Sequence, residues 1–220
     1  MTGSAYYGFR FNRLITGASL KARRSVYNVF ANEFGACRRI LDVGATSESE
    51  SPDANFLEVL HPHKDRITAA GVEDASHLER VYPGMRFVRI EPNAPLPFRD
   101  DEFDVAYSHA VIEHVVGERE RRFFLSELWR VARAIFVTTP NKFFPIEPHT
   151  CLPLIHWVSD AAFYRLAAAL GSFYNRDNLR LLTRRELSAL AEGRPHEVRS
   201  VKLFGMTSNY ILIARKTASV

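Results

Sequence analysis

The 220-residue chain reads as an α/β fold: a doubly wound, mostly parallel sheet of seven strands, with helices on both faces and a C-terminal antiparallel hairpin. Three observations predict it. Short apolar runs alternate with helical periodicity from about residue 39 to residue 139, the pattern of right-handed strand–helix–strand crossovers. Two of those runs, ILDVGA at 40–45 and FDVAYSHAVIEHV at 103–115, look like buried strands running into loops that carry functional side chains. Finally, HEVRSVKLFG and SNYILIARK lie only a few residues apart near the end, so they should pair antiparallel.

The elements follow in order. Residues 19–34 place Val26, Val29, Phe30 and Phe34 at helical spacing with basic residues opposite. Arg39–Gly44 is the first strand. In the segment SPDANFLEVL, Ser51 suits an N-cap and Pro52 the first helical position. Arg66–Glu73 is the second strand, Ala75–Val81 a short helix, and Arg86–Glu91 the third strand. Phe103–Ser108 is the fourth and Ala134–Thr139 the fifth. Between them GERERRFFLSELWRVAR is amphipathic, with Phe124, Leu125, Leu128 and Val131 on one stripe. Thr183 and Glu186 form a capping box that opens the last helix. We expect one domain: a basic helical region (1–37), a ligand-binding core (38–140), an insertion or lid (141–182) and a closing helix with hairpin (183–220).

Composition narrows the function classes. An apolar fraction of 46% with 25% charged residues is that of a soluble globular protein. Cys37 and Cys151 are too few for a disulfide framework or a four-thiolate metal site. Met1–Arg13 shows no apolar core of a secretory signal, and the apolar stretch Cys151–Tyr174 is broken by His156, Asp160 and Arg165, so a cytoplasmic setting is expected. The net charge is +4, and residues 1–39 hold seven basic side chains against the single acid Glu33. No aromatic-interleaved basic motif accompanies them, which argues against nucleic acid. A solvated helix face, an anionic substrate or a peripheral contact with a membrane surface all fit that charge. Oligomeric state is not legible.

In open α/β sheets the ligand lies beyond the carboxyl ends of the strands, at the topological switch point. Strand one ends in Asp42 and Gly44, where glycine lets the backbone approach a ligand. Strand two ends in Glu73, with Asp74 next to it, a carboxylate suited to ribose hydroxyls. Glu91 at the end of strand three suits an adenine amine, and Ser108, His109 and Ala110 follow strand four.

The tract LPFRDDEFDVAYSHAVIEHV (96–115), with its Leu-Pro-Phe, acidic turn, Phe-Asp and Glu-His elements, resembles the class I, type 11-like S-adenosylmethionine (SAM) dependent methyltransferases, whose fold is Rossmann-like. The resemblance covers roughly residues 38–150. It implies SAM as cofactor, held by Asp42, Gly44, Ala45, Thr46, Glu73, Asp74, Glu91, Ser108, His109 and Ala110. The chain departs from the family in its glycine loop, where Gly44-Ala45-Thr46-Ser47-Glu48 keeps only the first glycine. Glu48 and Glu50 there would repel the methionine carboxylate or hold its ammonium group.

The 139–158 insertion leaves strand five where acceptor-binding elements sit in such proteins. Asn141 puts an amide near the transfer position, and Glu147 or His149 (or His109) can serve as base toward a hydroxyl. The acceptor is then a small molecule, a glycan or a lipid-linked intermediate. Phe143, Phe144, Leu152, Leu154, Trp157, Phe163 and Tyr164 would line its pocket or pack a cap on the sheet. Glu147, His149, Cys151 and His156 match no metal-ligand spacing, so no metal is expected. His61 and His63 read as exposed loop residues, and His114 as a packing or capping residue. The glycine-poor loop also admits a catalytically inactive methyltransferase-like partner or scaffold protein. A nicotinamide oxidoreductase is disfavoured by the missing glycine fingerprint and by the terminal hairpin.

Overall fold

A computed structural model describes residues 11–48, 54–146, 149–150 and 153–217. Seven strands form a single sheet in the order β3-β2-β1-β4-β5-β7-β6. They are β1 (Ile40–Val43), β2 (Ile67–Gly71), β3 (Arg86–Arg89), β4 (Val105–His109), β5 (Ala134–Pro140), β6 (His196–Leu203) and β7 (Met206–Arg215). Strands β1 to β5 pair in parallel, and β7 inserts antiparallel between β5 and β6. The strand order reverses between the parallel neighbours β1 and β4, which pair Ile40 with Val105 and Asp42 with Tyr107. The crevice above that pair is the expected ligand position.

The period of two along each central strand sorts its side chains into two cores. Leu41, Val43, Ala106, Ile135, Val137 and Leu212 face one side, packed by Leu125, Leu128 and Val131 of α4 (Glu118–Val131) and by Leu187 and Leu190 of α7 (Arg184–Leu190). Ile40, Val105, Tyr107, Phe136, Ile211 and Ile213 face the other, under Val26, Phe30 and Phe34 of α1 (Phe11–Phe34). Phe30 meets Tyr107 and Phe136 edge-on at centroid separations of 5.0 and 5.3 Å. A buried ring of this size contributes about 1.5–3 kcal/mol, enough to fix where α1 crosses the sheet.

The shorter helices are α2 (Phe56–Leu60), α3 (Leu78–Val81), α5 (Ile155–Val158) and α6 (Asp160–Ala169). Helix α2 begins at Phe56, later than the sequence suggested, and the expected cap at Ser51 and Pro52 falls outside the described residues. The predicted capping box is present: the Thr183 hydroxyl accepts from the Glu186 N–H, and the Glu186 carboxylate accepts from the Thr183 N–H. β3 is short and carries Arg86 and Arg89, which suits an edge strand that must not recruit a further one.

On α4, Glu127 accepts from the Leu96 N–H at 2.8 Å, while Arg130 donates to the carbonyls of Leu96 and Phe98. This clamp fixes the loop before β4 against the crevice. Among the described residues of the 141–182 insertion, Phe163, Leu179 and Leu181 form a small capping core separate from the two sheet cores. Asp160 braces this insertion from within through Lys142 and Arg180, each at 2.9 Å, and Arg180 reaches out of it to Glu186 of α7 at 3.1 Å. Among the described residues no helix is long and apolar enough to cross a membrane.

Candidate active site

Three cavities run end to end along the carboxyl edge of the sheet. The first, about 290 Å³, lies between the ends of β1, β2 and β3. Gly44, Gly71, Val72, Ile90, Glu91 and Val111 are among its walls. The second, about 160 Å³, includes Arg23, Asp42, Gly44, Thr46, Asn55, His109 and Val111. The third, about 330 Å³, is framed by Arg23 of α1, His109, Pro140, Phe144, His149 and Tyr174. Gly44 and Val111 belong to both the first and the second; Arg23, His109 and Ala110 belong to both the second and the third. The shared walls make one trough that passes directly over the switch point.

The loop after β1 is built without its usual glycines. Gly44 sits at φ +123°, and a Cβ there would collide with the Val111 side chain. A Cβ on Gly71 would strike the carbonyl of Ala45, so the loop rests directly on β2. The N–H groups of Gly44 and Ala45 both donate to the Ala70 carbonyl, at 2.9 and 3.1 Å. Asn55 holds the remainder: its Oδ1 accepts from the Thr46 N–H, and its Nδ2 donates to the carbonyls of Thr46 and Glu48. Those three bonds do the work that glycine turns do elsewhere. Nothing in the residue pattern pointed to Asn55, whose left-handed backbone (φ 46°) is visible only in the fold.

Asp42 is buried beside Glu58 of α2. Burial, then the repulsion of Glu58, pushes the Asp42 carboxyl well above the usual carboxylate range, and burial raises Glu58 as well. His109 lines the second and third cavities, and its Nδ1 shares a hydrogen bond with the Thr138 hydroxyl at 2.6 Å. Burial, followed by the positive charge of Arg23, pushes its pKa well below the ordinary histidine value, so the ring is neutral near neutral pH. Ala110 adopts φ 57°, an unusual conformation for a residue with a side chain, while its N–H still donates to the Thr138 carbonyl of β5 at 3.0 Å.

Several expected residues stand elsewhere. Ser108 is buried and donates to the Val43 carbonyl at 2.8 Å, pinning β4 to β1 rather than facing a ligand. Asp74 accepts from the Ser76 N–H and shapes the turn before α3. Because β2 ends at Gly71, Val72 faces the trough, whereas Glu73 lines none of the three cavities and stands exposed beyond it, accepting from the Ser47 hydroxyl at 2.7 Å. Asn141 spends its amide on structure, donating to the Thr207 carbonyl and accepting from the Phe143 N–H; Pro140 lines the third cavity beside it.

His61 is 1% exposed, not a surface loop residue, because it packs under Phe30 of α1. His114 does cap as expected, through Nδ1 to the Asn178 carbonyl at 2.8 Å. Glu147, Glu50 and Cys151 lie outside the described residues. Arg23, which joins the second and third cavities, was hidden in the general basicity of the N-terminal helix.

Residues 41–134 match the family model of a methyltransferase domain. No curated protein matches the chain. Among solved structures, a SAM-dependent methyltransferase from Thermotoga maritima is similar at a TM-score of 0.60 and 15% identity, covering 94% of this chain and 95% of its own. Magnesium protoporphyrin IX methyltransferase from Synechocystis PCC 6803, solved with S-adenosylhomocysteine, gives 0.59 at 11% identity, with 96% and 89% covered. The N-methyltransferase NodS from Bradyrhizobium japonicum WM9 gives 0.57 at 11%, with 90% and 96% covered. Such distant likenesses speak for the fold. The trough fits the cofactor those proteins share: an apolar slot with Glu91 at one end, then a narrow passage over Gly44 that a side chain would fill. Residues 41–134 thus carry the match to a methyltransferase domain, within a fold shared with SAM-dependent methyltransferases, and together these support an enzyme of that class with S-adenosylmethionine as its cofactor.

Proposed function

We propose that the enzyme methylates a hydroxyl oxygen of a small-molecule, glycan or lipid-linked acceptor held in the third cavity. The observation that supports this reading is the continuity of the trough: the acceptor cavity opens onto the cofactor cavities at Arg23, His109 and Ala110. When bound, SAM supplies a sulfonium methyl group, whose carbon bonds to the acceptor oxygen as its bond to sulfur breaks.

The chain's own residues do the rest. The apolar walls Val72, Ile90 and Val111 take the adenine ring, with Glu91 placed for its amine. Glu73, exposed beyond the trough and already hydrogen-bonded to Ser47, takes the ribose hydroxyls. The backbone of Gly44, Ala45 and Thr46, held by Asn55, receives the methionine portion. Arg23, on the wall of the same cavity, offers its guanidinium to the carboxylate. Asp42 lines the same cavity and is placed for the ammonium group, whose positive charge would favour the ionised form that burial and Glu58 oppose.

His109 is a weak base, its pKa held low by burial and Arg23. A weak base suffices here, because a hydroxyl oxygen becomes strongly acidic only as its new bond to carbon forms. The Thr138 hydroxyl holds the imidazole in place to accept that proton. The acceptor cavity, about 330 Å³, is at the small-ligand end of the usual range, so a compact molecule or one unit of a larger one is expected.

Calorimetry with SAM and S-adenosylhomocysteine, followed by transfer of labelled methyl to hydroxyl and amine acceptors, tests this reading. Glu73→Ala is expected to weaken cofactor binding by about 1–3 kcal/mol, the cost of leaving ligand hydroxyls without a partner. Unchanged affinity would remove Glu73 from the site. No binding at about millimolar cofactor would leave the scaffold reading in place, and labelling only of amines would exclude the hydroxyl.

A further inference from the structure

Glu113 is 1% exposed, and neither oxygen of its carboxylate has a hydrogen-bond partner. A carboxylate withdrawn from water in this way is costly unless a cation meets it. Its backbone is firmly held: it lies in a helical turn just after β4, and its carbonyl accepts from the Arg180 N–H at 2.7 Å. The next residue, His114, contacts the Asn178 carbonyl through Nδ1. A carbonyl can only accept, so Nδ1 carries the proton and Nε2 keeps its lone pair, which is the tautomer and orientation of a metal-ligating histidine.

His149 arrives from the other side, in the insertion after β5. Its ring lies 4.9 Å from that of His114, with Tyr174 packed against both. One ligand atom from each of Glu113, His114 and His149 lies within 4.8 Å of the others.

We propose that Glu113, His114 and His149 bind a divalent transition-metal cation between the cofactor and acceptor cavities. Two imidazole nitrogens and one carboxylate oxygen suit zinc, manganese, iron or cobalt better than magnesium or calcium, which prefer all-oxygen shells. Three protein ligands leave a coordination position open. His114 borders the cofactor cavity and His149 the acceptor cavity, so that position adjoins both. An acceptor oxygen bound there is polarised by the ion, which eases loss of its proton to His109 or to water as the bond to the methyl carbon forms. This second role rests on the hydroxyl-acceptor reading above, whereas the binding of the ion does not.

The test is calorimetric titration of Zn²⁺ and Mg²⁺ into the full-length protein stripped by chelator, with Co²⁺ as a probe of visible ligand-field bands. A single Zn²⁺ per chain is expected, undisturbed by Mg²⁺ and weakened by at least about tenfold in both Glu113→Gln and His149→Ala. Circular dichroism and cofactor affinity confirm that both variants are folded. No binding to the wild-type protein, or equal binding to both folded variants, overturns the site. Methylation of a hydroxyl acceptor at the same rate with and without chelator removes the catalytic role while leaving the hydroxyl reading intact. Metal binding without any hydroxyl methylation keeps the site and overturns that reading instead.

Discussion

The two ends of the trough are built by different means. The cofactor end is made by strand termini and main chain: Gly44 and Gly71 allow close approach, and three hydrogen bonds from Asn55 shape the loop. The other end, the proposed acceptor cavity, is made by side chains from elements far apart in the chain, namely Ala18, Ala22 and Arg23 of α1, Phe144 and His149 of the insertion, and Leu203 and Asn209 of the hairpin. The first depends on backbone geometry that the sheet imposes. The second depends on how a helix and a cap dock onto that sheet, so it can change without disturbing the first.

The largest effect should come from undoing the docking of α1. Phe30→Ala removes the ring that meets both Tyr107 and Phe136 and is expected to cost about 3–5 kcal/mol. Denaturant unfolding gives that number. The comparison predicts that acceptor turnover falls further than SAM affinity does; equal losses would mean that the two ends are not separable.

A smaller effect is expected at the opposite end. Asn55→Ala leaves the Thr46 N–H and two carbonyls without their partner. Cofactor affinity should drop by about 1–3 kcal/mol in calorimetry, with little change in the melting of the cap. If affinity holds, the loop is shaped by the sheet alone and the role given to Asn55 is mistaken.

The smallest effect is a pH dependence at the junction. The folded protein keeps His109 neutral well below the ordinary value of 6.5, whereas the unfolded chain takes up a proton near that pH. Acidification therefore favours the unfolded chain, and stability falls as pH drops below about 6.5, by at most about 1.4 kcal/mol per pH unit. Urea unfolding from pH 7 to 5 should show a shallower fall in His109→Gln. His61, whose pKa burial also lowers, contributes in the same direction and remains in that variant. An identical slope in both proteins would place the titration elsewhere.

Much of the strand-end geometry was legible in the residues because its determinants are local. Period-two alternation, the acid at Glu91 and the turn at Gly44 each sit within a few residues of a strand end. Where the reading slipped, it slipped by a residue or two at those ends. Ending β2 at Gly71 rather than Glu73 moves Val72 into the trough and leaves Glu73 exposed beyond it. Ser108 shows the same sensitivity from the other side: one position before His109, it faces β1 instead of the cavity. His61 was misread because two histidines around a proline resemble a surface turn, and only the crossing of α1 covers the first of them.

Sequence alone was sufficient for the order and direction of the strands, the closing hairpin and the class of cofactor. The strands and the hairpin follow from hydrophobic period and connection length read over short spans, whereas the class of cofactor follows from the likeness of the 96–115 tract to a known family. Tertiary structure alone decided that Arg23 joins the two halves of the trough, that Asn55 replaces the missing glycines, and that His149 comes to rest against Glu113 and His114. Each of these depends on packing between segments whose separation along the chain carries no local signal. What brings them together is the face of α1 under Phe30 and the insertion, braced within by Asp160 and joined to Glu113 through the Arg180 N–H.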